Sequence, residues 1–173
     1  MKIHIVSLIV ALIGLVAAIV ALFLPWFTVK VAFLSFEMSL YDMISATRSM
    51  PESFRINIRA PETTEEFLGT ASLISYGLGV LIGIVALVSK KAKIASGILL
   101  IVAGICWIAM VEMIKSRILS KYGSLLGASI GFGLGPLVVM AGGVFMFIAY
   151  FLHKPEEVKR PVAVPPPPPP PPY

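Results

Sequence analysis

The sequence lacks glutamine, has one asparagine (Asn57) and one cysteine (Cys106), and only 13% of its 173 residues are charged. A single cysteine excludes an intramolecular disulfide and a cysteine-based metal cluster. Cys106 lies in an apolar run, where a small buried side chain is expected. Soluble domains carry about 25% charged residues, so the low charge excludes an ordinary water-soluble enzyme and a disordered chain.

Motifs of catalysis and ligand binding are also missing. The chain has no Ser-His-Asp order, no His-Glu-x-x-His and no phosphate-binding glycine loop. The two histidines, His4 and His153, are expected to be solvated, and so are the acidic pairs Glu65-Glu66 and Glu156-Glu157. Basic residues are scattered, without the stripe that nucleic acids need. We therefore predict no catalytic residue, no metal, no cofactor, no nucleic-acid partner and no enzymatic activity.

What the sequence does contain is apolar residues, 58% of the chain, gathered in four long segments. The segments are Ile3 to Leu24, Phe67 to Val88, Ile94 to Ile114 and Gly133 to Leu152. About twenty helical residues cross a hydrocarbon core of about 30 Å. The alternative for the first segment is a signal peptide, whose apolar core runs about 7–15 residues. We predict an all-α membrane protein, a four-helix transmembrane bundle over residues 1–152.

Charged residues between the segments predict the topology. Lys90, Lys91 and Lys93 form a short basic turn, which makes the second and third helices antiparallel neighbours. Lysine and arginine are equal in number on the two sides, but the shortest loop weighs most in the positive-inside rule. This places the protein as a multi-pass cell-membrane protein with both termini cytoplasmic. Glu112 is expected at the interface, paired with Lys115.

Small residues predict where the helices touch. Within a bilayer, helices associate by close contact rather than by the hydrophobic effect. Such contacts either close the protein's own bundle, which we favour, or join separate chains. The candidate packing residues are Gly14, Ala18, Gly79, Gly83, Gly97, Gly104 and Gly142.

The extracytoplasmic loop, residues 25–66, predicts a small β-containing domain. Apolar residues alternate from Phe27 to Phe33 and again from Leu34 to Leu40, with a phase change between the two runs. A β-bulge at Phe33-Leu34 would restore the phase, and a tight hairpin is less favoured without Gly or Asn. Arg55 to Arg59 also alternates and is expected to pair with the first strand.

Flanking signals complete the outer layout. Ser39 with Asp42 predicts a capping box for a helix from Leu40 to about Met50, and Thr63 with Glu66 caps the second span. Trp26 is expected as an aromatic anchor at the membrane interface. The glycine-rich segment 123–135 is expected to be a flexible entry to the fourth span.

This layout resembles the claudin-like tetraspans, with four spans, a long first outer loop carrying a sheet, and a short basic inner turn. Leu24-Pro25-Trp26-Phe27 is similar to the proline-tryptophan exit of the first span in that group. The resemblance is one of layout, because the group's Gly-Leu-Trp signature and paired loop cysteines are not in this chain. Small prokaryotic tetraspans of unknown function look similar too. The resemblance implies a structural membrane protein.

A proline-rich cytoplasmic tail, residues 153–173, follows the last span. Its proline run forms a polyproline II rod of about 25 Å, which aromatic grooves bind at little entropic cost. The tail is equally a ligand for a polyproline-binding cytoplasmic domain or a stiff, solvated spacer. The candidate partner-binding residues are Pro165, Pro166, Pro167, Pro168, Pro169, Pro170, Pro171, Pro172 and Tyr173.

Two functional hypotheses follow. The first is a structural or adaptor tetraspan, whose outer loop contacts other membrane proteins or a second copy and whose tail binds a cytoplasmic partner. The second is an accessory subunit of a larger membrane enzyme or transport complex. Both require the lipid bilayer as a partner.

Overall fold

The computed structural model describes residues 5–31, 34–49, 63–122 and 128–153. Along the chain these form five helices and three strands. The elements are α1 (Ile5–Ala21), β1 (Pro25–Val31), β2 (Leu34–Ser39), α2 (Leu40–Ser49), α3 (Thr64–Ala86), α4 (Lys90–Tyr122), β3 (Ala128–Phe132) and α5 (Leu134–Leu152).

Three helices in the described part of the chain are long and apolar enough to cross a membrane. They are Thr64–Ala86, the Lys90–Ile118 part of α4, and Leu134–Leu152. The first apolar segment forms a helix of 17 residues, about 25 Å at 1.5 Å per residue. It ends in a turn of i→i+3 hydrogen bonds before Pro25, because a proline disfavours the helical conformation of the residue that precedes it. A fourth complete span is therefore not confirmed.

The third helix is longer than its apolar segment indicates. α4 has 33 residues and runs to Tyr122 rather than ending near Ile114. Its length is about 50 Å, some 20 Å more than a bilayer core. The polar residues after Glu112 continue the helix, because none of them is Gly or Pro.

The long helices pack in one bundle, with α4 between α3 and α5 and with α1 against α5 and α3. α3 and α4 are antiparallel, as predicted, because Ser72 Oγ donates to Ala103 O at 2.7 Å and Ser96 Oγ donates to Gly79 O at 2.8 Å. The turn between them is Leu87–Ser89, so the three lysines open α4 instead of forming the turn.

A three-stranded antiparallel sheet, in the order β2-β1-β3, covers one end of this bundle. Val31 pairs with Leu34, so β1 and β2 form a hairpin and the bulge expected at Phe33-Leu34 is wrong. Paired residues lie on the same face of the sheet, and across a two-residue connection they are an odd number of positions apart. The alternation of apolar residues must therefore change phase at the connection, so the phase change in the sequence indicated a hairpin. The bulge lies between Pro25 and Phe27 instead.

The third strand comes from the glycine-rich segment, which was expected to be flexible. β3 pairs along β1, with Phe27 opposite Phe132 and Val29 opposite Ile130. Arg55 to Arg59, the strand expected beside β1, lies outside the described residues; β2 and β3 occupy both edges of β1. A sheet of three strands with one apolar face resting on helices is stable where a lone hairpin is marginal.

Both predicted helix caps are confirmed, and the one at Ser39 and Asp42 has the two reciprocal bonds of a capping box. Thr63 Oγ1 accepts from Glu66 N at 3.3 Å. Ser39 Oγ accepts from Asp42 N at 3.0 Å, and Asp42 Oδ2 accepts from Ser39 N at 3.1 Å. These bonds satisfy backbone N–H groups that helix starts leave without intrahelical partners. The pKa of the Asp42 carboxyl is lowered by hydrogen bonds from Ser39, first from its side chain and then from its backbone.

Candidate functional site

The two ends of the bundle hold different polar arrangements, which we call the sheet end and the lysine end. The sheet end is built on Trp26, Tyr76 and Trp107 beneath β1. The lysine end is built on Lys93, Ser7 and His153.

Trp26 is the centre of the sheet end. The sequence predicted Trp26 as an aromatic anchor at the membrane interface, but its side chain is 0% exposed and does not face lipid. Its ring meets Tyr76 and Trp107 edge-on, with centroids 5.5 and 5.2 Å apart. Gly135 at the start of α5 lies against the same ring. Trp26 therefore joins all the long helices at one point, because the bulge in β1 places it as an extra residue between two pairs.

Direct hydrogen bonds to backbone carbonyls complete this junction. Trp26 Nε1 donates to Ala21 O at 2.6 Å, Trp107 Nε1 donates to Trp26 O at 2.8 Å, and Tyr76 OH donates to Ala18 O at 2.8 Å. Each buried aromatic N–H or O–H thus has a backbone acceptor, as buried aromatic polar groups require.

The sheet above the junction has one apolar and one polar face. Met38, Phe27 and Phe132 form one cross-strand row, and Phe36, Val29 and Ile130 form the next. Phe27, Ile130 and Phe132 pack against the core. At the β2 edge the apolar face of the sheet is no longer covered, since Phe36 is 59% and Met38 is 40% exposed. These two residues, with the exposed Tyr41 and Ile44 of α2, form the β2–α2 patch.

An ion pair beside the sheet end joins α3 to the extended part of α4. Arg117 Nη2 lies 2.8 Å from Glu65 Oε1. Glu65 is only 8% exposed, so the expectation of a solvated acidic pair is wrong for this residue, and its Oε2 atom has no hydrogen-bond partner. Glu112 pairs with Lys115 at 3.1 Å, which confirms the predicted pairing; its position at a membrane interface stays a prediction.

The lysine end contains a buried cation that the sequence analysis missed. Lys93 is 1% exposed. Its Nζ donates to Ser7 Oγ at 3.1 Å and lies 3.3 Å from Nδ1 of His153. Ser7 Oγ in turn donates to Ala149 O at 2.6 Å. His153, predicted to be solvated, is thus held against Lys93; His4 lies outside the described residues.

This arrangement does not supply a nucleophile. Ser7 is fully buried and its hydroxyl proton is directed at the Ala149 carbonyl, so Lys93 is a donor to Ser7 rather than its base. No group of three His, Cys, Asp or Glu that could hold a metal occurs in the described ranges. Cys106 is a free cysteine and is partly exposed instead of buried.

Between the two ends, glycines bring helix backbones into contact. A Cβ atom at Gly14 would lie 2.8 Å from Gly142 O, and one at Gly142 would lie 2.8 Å from Gly14 O. Gly97 and Gly143 form a similar crossing between α4 and α5.

The other candidate packing glycines lie mainly against side chains. Gly79 lies against Leu100, and Gly83 lies against Leu15 and Ser96. Gly104 lies against the Met140 side chain and also against the backbone carbonyl of Pro136. Ala18 is fully buried and accepts the Tyr76 hydroxyl through its carbonyl.

The proline-rich tail, from Pro165 to Tyr173, lies outside the described residues. Comparison with known proteins gives no relative: no protein-family model matches the chain, and no curated protein sequence matches it.

Proposed function

We propose that the chain is a non-enzymatic integral membrane protein with four spans, which acts as a structural or adaptor protein. Its outer sheet contacts other membrane proteins, and its proline-rich tail binds a polyproline-binding domain in the cytoplasm. α1 belongs to this proposal as the first span, because its helix lies inside the longer apolar segment Ile3 to Leu24. A claudin-like relationship, suggested by layout, is part of the same proposal.

Support for membrane residence comes from the distribution of side-chain size. The interiors of the helix pairs are occupied by small residues such as Gly14, Gly142 and Ala18. The outward faces carry large apolar residues, including Ile5, Leu81 and Phe151, all exposed. Water-soluble bundles place large apolar residues inside, whereas helices in lipid gain most from close backbone contact. The buried serines of the long helices, Ser7, Ser72 and Ser96, support the same view, because each donates to a neighbouring helix.

The observation that carries the adaptor role is the β2–α2 patch. Phe36 and Met38 continue an apolar face that is packed elsewhere in the sheet, yet they are exposed. The polar face of the sheet, with Thr28 and Lys30, already supplies solubility. An exposed apolar continuation of a packed face is a feature of contact surfaces.

Orientation follows from charge. Three lysines lie at the lysine end, whereas basic and acidic side chains mix at the sheet end, as in the pairs Glu112–Lys115 and Glu65–Arg117. The positive-inside rule then favours a cytoplasmic lysine end and an extracytoplasmic sheet.

Labelling of single cysteines tests membrane residence and orientation together. In a Cys106→Ala background, Ser35→Cys lies on an exposed position of β2, and Lys91→Cys lies on an exposed position of α4. We expect an impermeant maleimide to label Ser35→Cys in intact cells and Lys91→Cys only after lysis. The reverse pattern would invert the topology, and release of the protein from membranes at alkaline pH would refute the spans.

The adaptor role is tested by deleting Val164–Tyr173 and, separately, by changing Phe36→Ser with Met38→Ser. The deletion should abolish recovery of cytoplasmic partners, and the sheet variant should abolish recovery of membrane partners. A matched control changes Leu81→Ser, since Leu81 is equally exposed but lies on α3. Unchanged recovery with either test variant contradicts the corresponding half of the proposal.

The second candidate, an accessory subunit of a larger membrane complex, is favoured by the same β2–α2 patch. An apolar surface outside the bilayer is costly for a protein that exists alone. Native mass measurement in mild detergent separates the two: a fixed stoichiometry with large subunits indicates an accessory subunit, and a protein alone or in substoichiometric complexes indicates an adaptor.

A further inference from the structure

The lysine end gathers basic side chains, and none of the acidic residues that the structure describes lies beside them. Lys90 and Lys93 are three residues apart on α4, and both face the last turn of α5. Lys90 Nζ lies 4.8 Å above the ring of Tyr150, and Lys93 Nζ meets His153 Nδ1 and the neutral Ser7 hydroxyl. Lys91, between them, is exposed.

In the described ranges, no acidic residue lies at this end. The described acidic residues belong to the sheet end or to its side of α4; they are Glu37, Asp42, Glu65, Glu66 and Glu112. Two of them already pair with basic residues there, through Lys115 and Arg117. The three lysines therefore lack an acidic partner in this part of the chain.

Helix dipoles do not supply the missing charge. Each helix end carries about half an elementary charge, positive at the N-terminus and negative at the C-terminus. The lysine end gathers the N-termini of α1 and α4 and the C-termini of α3 and α5, so the four contributions cancel. Three ammonium groups remain, one of them 1% exposed, and a buried charge is costly without a counter-charge.

The segment after α5, residues 154 to 160, lies outside the described residues. Its sequence contains Lys154, Lys159 and Arg160 against Glu156 and Glu157, so its net charge is positive.

The apolar surroundings indicate an amphiphilic ligand. Exposed apolar side chains flank the lysines on three helices: Ile5 on α1, Val88 just after α3, and Phe151 on α5. A free phosphate ion would gain nothing from them, whereas a phospholipid would lay its acyl chains on these side chains and its phosphate among the ammonium groups.

We propose that the lysine end binds the phosphate of an anionic phospholipid headgroup. Lys90 and Lys91 contact the phosphate, and the positive charge of the buried Lys93 attracts it from below them. This inference rests on the proposed membrane residence. The Lys93 ammonium is held in place by Ser7 and His153, so its position does not depend on the lipid. A lysine near an anionic membrane surface contributes about fivefold in affinity.

The test compares lipid binding to the full chain in mild detergent by native mass spectrometry. Phosphatidylglycerol and phosphatidylcholine are offered in equal amounts, and inorganic phosphate is offered separately. The test variant is Lys90→Gln with Lys91→Gln. The matched control is Lys30→Gln with Lys115→Gln, which removes the same charge from exposed positions at the sheet end.

We expect a strong preference for phosphatidylglycerol, reduced roughly twenty-five-fold in the test variant and unchanged in the control. Equal binding of both lipids, or equal losses in both variants, would overturn the proposal. Binding of inorganic phosphate as strong as that of the lipid would overturn it too. Selectivity that appears only in Glu156→Gln with Glu157→Gln would also overturn it, because the tail carboxylates would then be the counter-charge of the lysines. Membrane residence is read independently, from alkaline extraction of the same membranes.

Discussion

The sheet end and the lysine end solve the same problem of burying polar atoms in opposite ways. At the sheet end, neutral donors of Trp26, Tyr76 and Trp107 meet backbone carbonyls within a packed aromatic cluster. At the lysine end, a charged group is held by the side chains of Ser7 and His153. A closed aromatic cluster stabilises by packing, whereas a buried charge without an acidic partner among the described residues costs stability and has reason to be kept only for binding or orientation. Substitutions at the two ends should therefore have opposite consequences.

The largest effect is expected at Trp26. Trp26→Ala removes a fully buried ring that four helices share, and such truncations cost about 3–5 kcal/mol. Unfolding in mixed detergent should show this loss. Phe67→Ala is the control, since Phe67 is an exposed aromatic residue on α3. Equal losses in both variants would mean that the cluster has no special role.

The crossing of α1 and α5 should give the next effect. Gly142→Ala places a Cβ atom against Gly14 O, so the helices must separate, at about 1–3 kcal/mol. Gly77→Ala is the matched control, because nothing lies within 4 Å of its Cβ position. We expect the control to be neutral or up to about 1 kcal/mol more stable, from helix propensity. The same unfolding assay ranks the two, and a reversed order would contradict the close approach.

Substitution of Lys93 tests the comparison of the two ends, because we expect the fold to tolerate it. Lys93→Met keeps an unbranched side chain of similar size and removes a buried charge that has no acidic partner among the described residues. We expect a stability change of less than about 1 kcal/mol, or a gain, in detergent without anionic lipid. Ser7 keeps its bond to Ala149 O in this variant. A loss as large as that of Trp26→Ala would make the lysine end a structural centre of equal weight.

The smallest effect concerns the capping box of α2. Hydrogen bonds from Ser39 lower the pKa of Asp42 below 3.8, so the carboxylate stabilises the fold above about pH 3.8. This contribution disappears as the pH falls through the lower, folded-state pKa. Titration of the Asp42 carboxyl by NMR should show the depressed pKa in the parent chain and a value closer to 3.8 in Ser39→Ala. An identical titration in both would exclude the cap as the cause.

Local sequence signals predicted local structure well. Ser39 with Asp42 and Thr63 with Glu66 each specify a helix start within four residues, and the structure has both. The pair Glu112 and Lys115 is equally local. The long apolar segments indicated the helices for a similar reason, since hydropathy needs no knowledge of the partner.

Features that depend on contacts between distant residues could not be predicted from the sequence. Nothing near Trp26 distinguishes an interfacial ring from one enclosed by Tyr76, Trp107 and α5, because its partners are far along the chain. Lys90 and Lys93 both face α5, yet only Lys93 is buried, and this depends on the contact with His153, which lies far along the chain. The strand Ala128–Phe132 lies in a glycine-rich segment and becomes a strand only because β1 offers it an edge.

That edge has a consequence for how the protein is made. Thr28 Oγ1 donates to Gly131 O across 103 residues of sequence. At a synthesis rate of about 5–20 residues per second, β1 emerges roughly 5–20 s before its partner strand. During that interval its backbone N–H and C=O groups present an open edge to any other extended chain nearby. The order of synthesis thus makes the protein most exposed to mispairing while only the β1–β2 hairpin has been made. This exposure ends when β3 pairs with the open edge of β1.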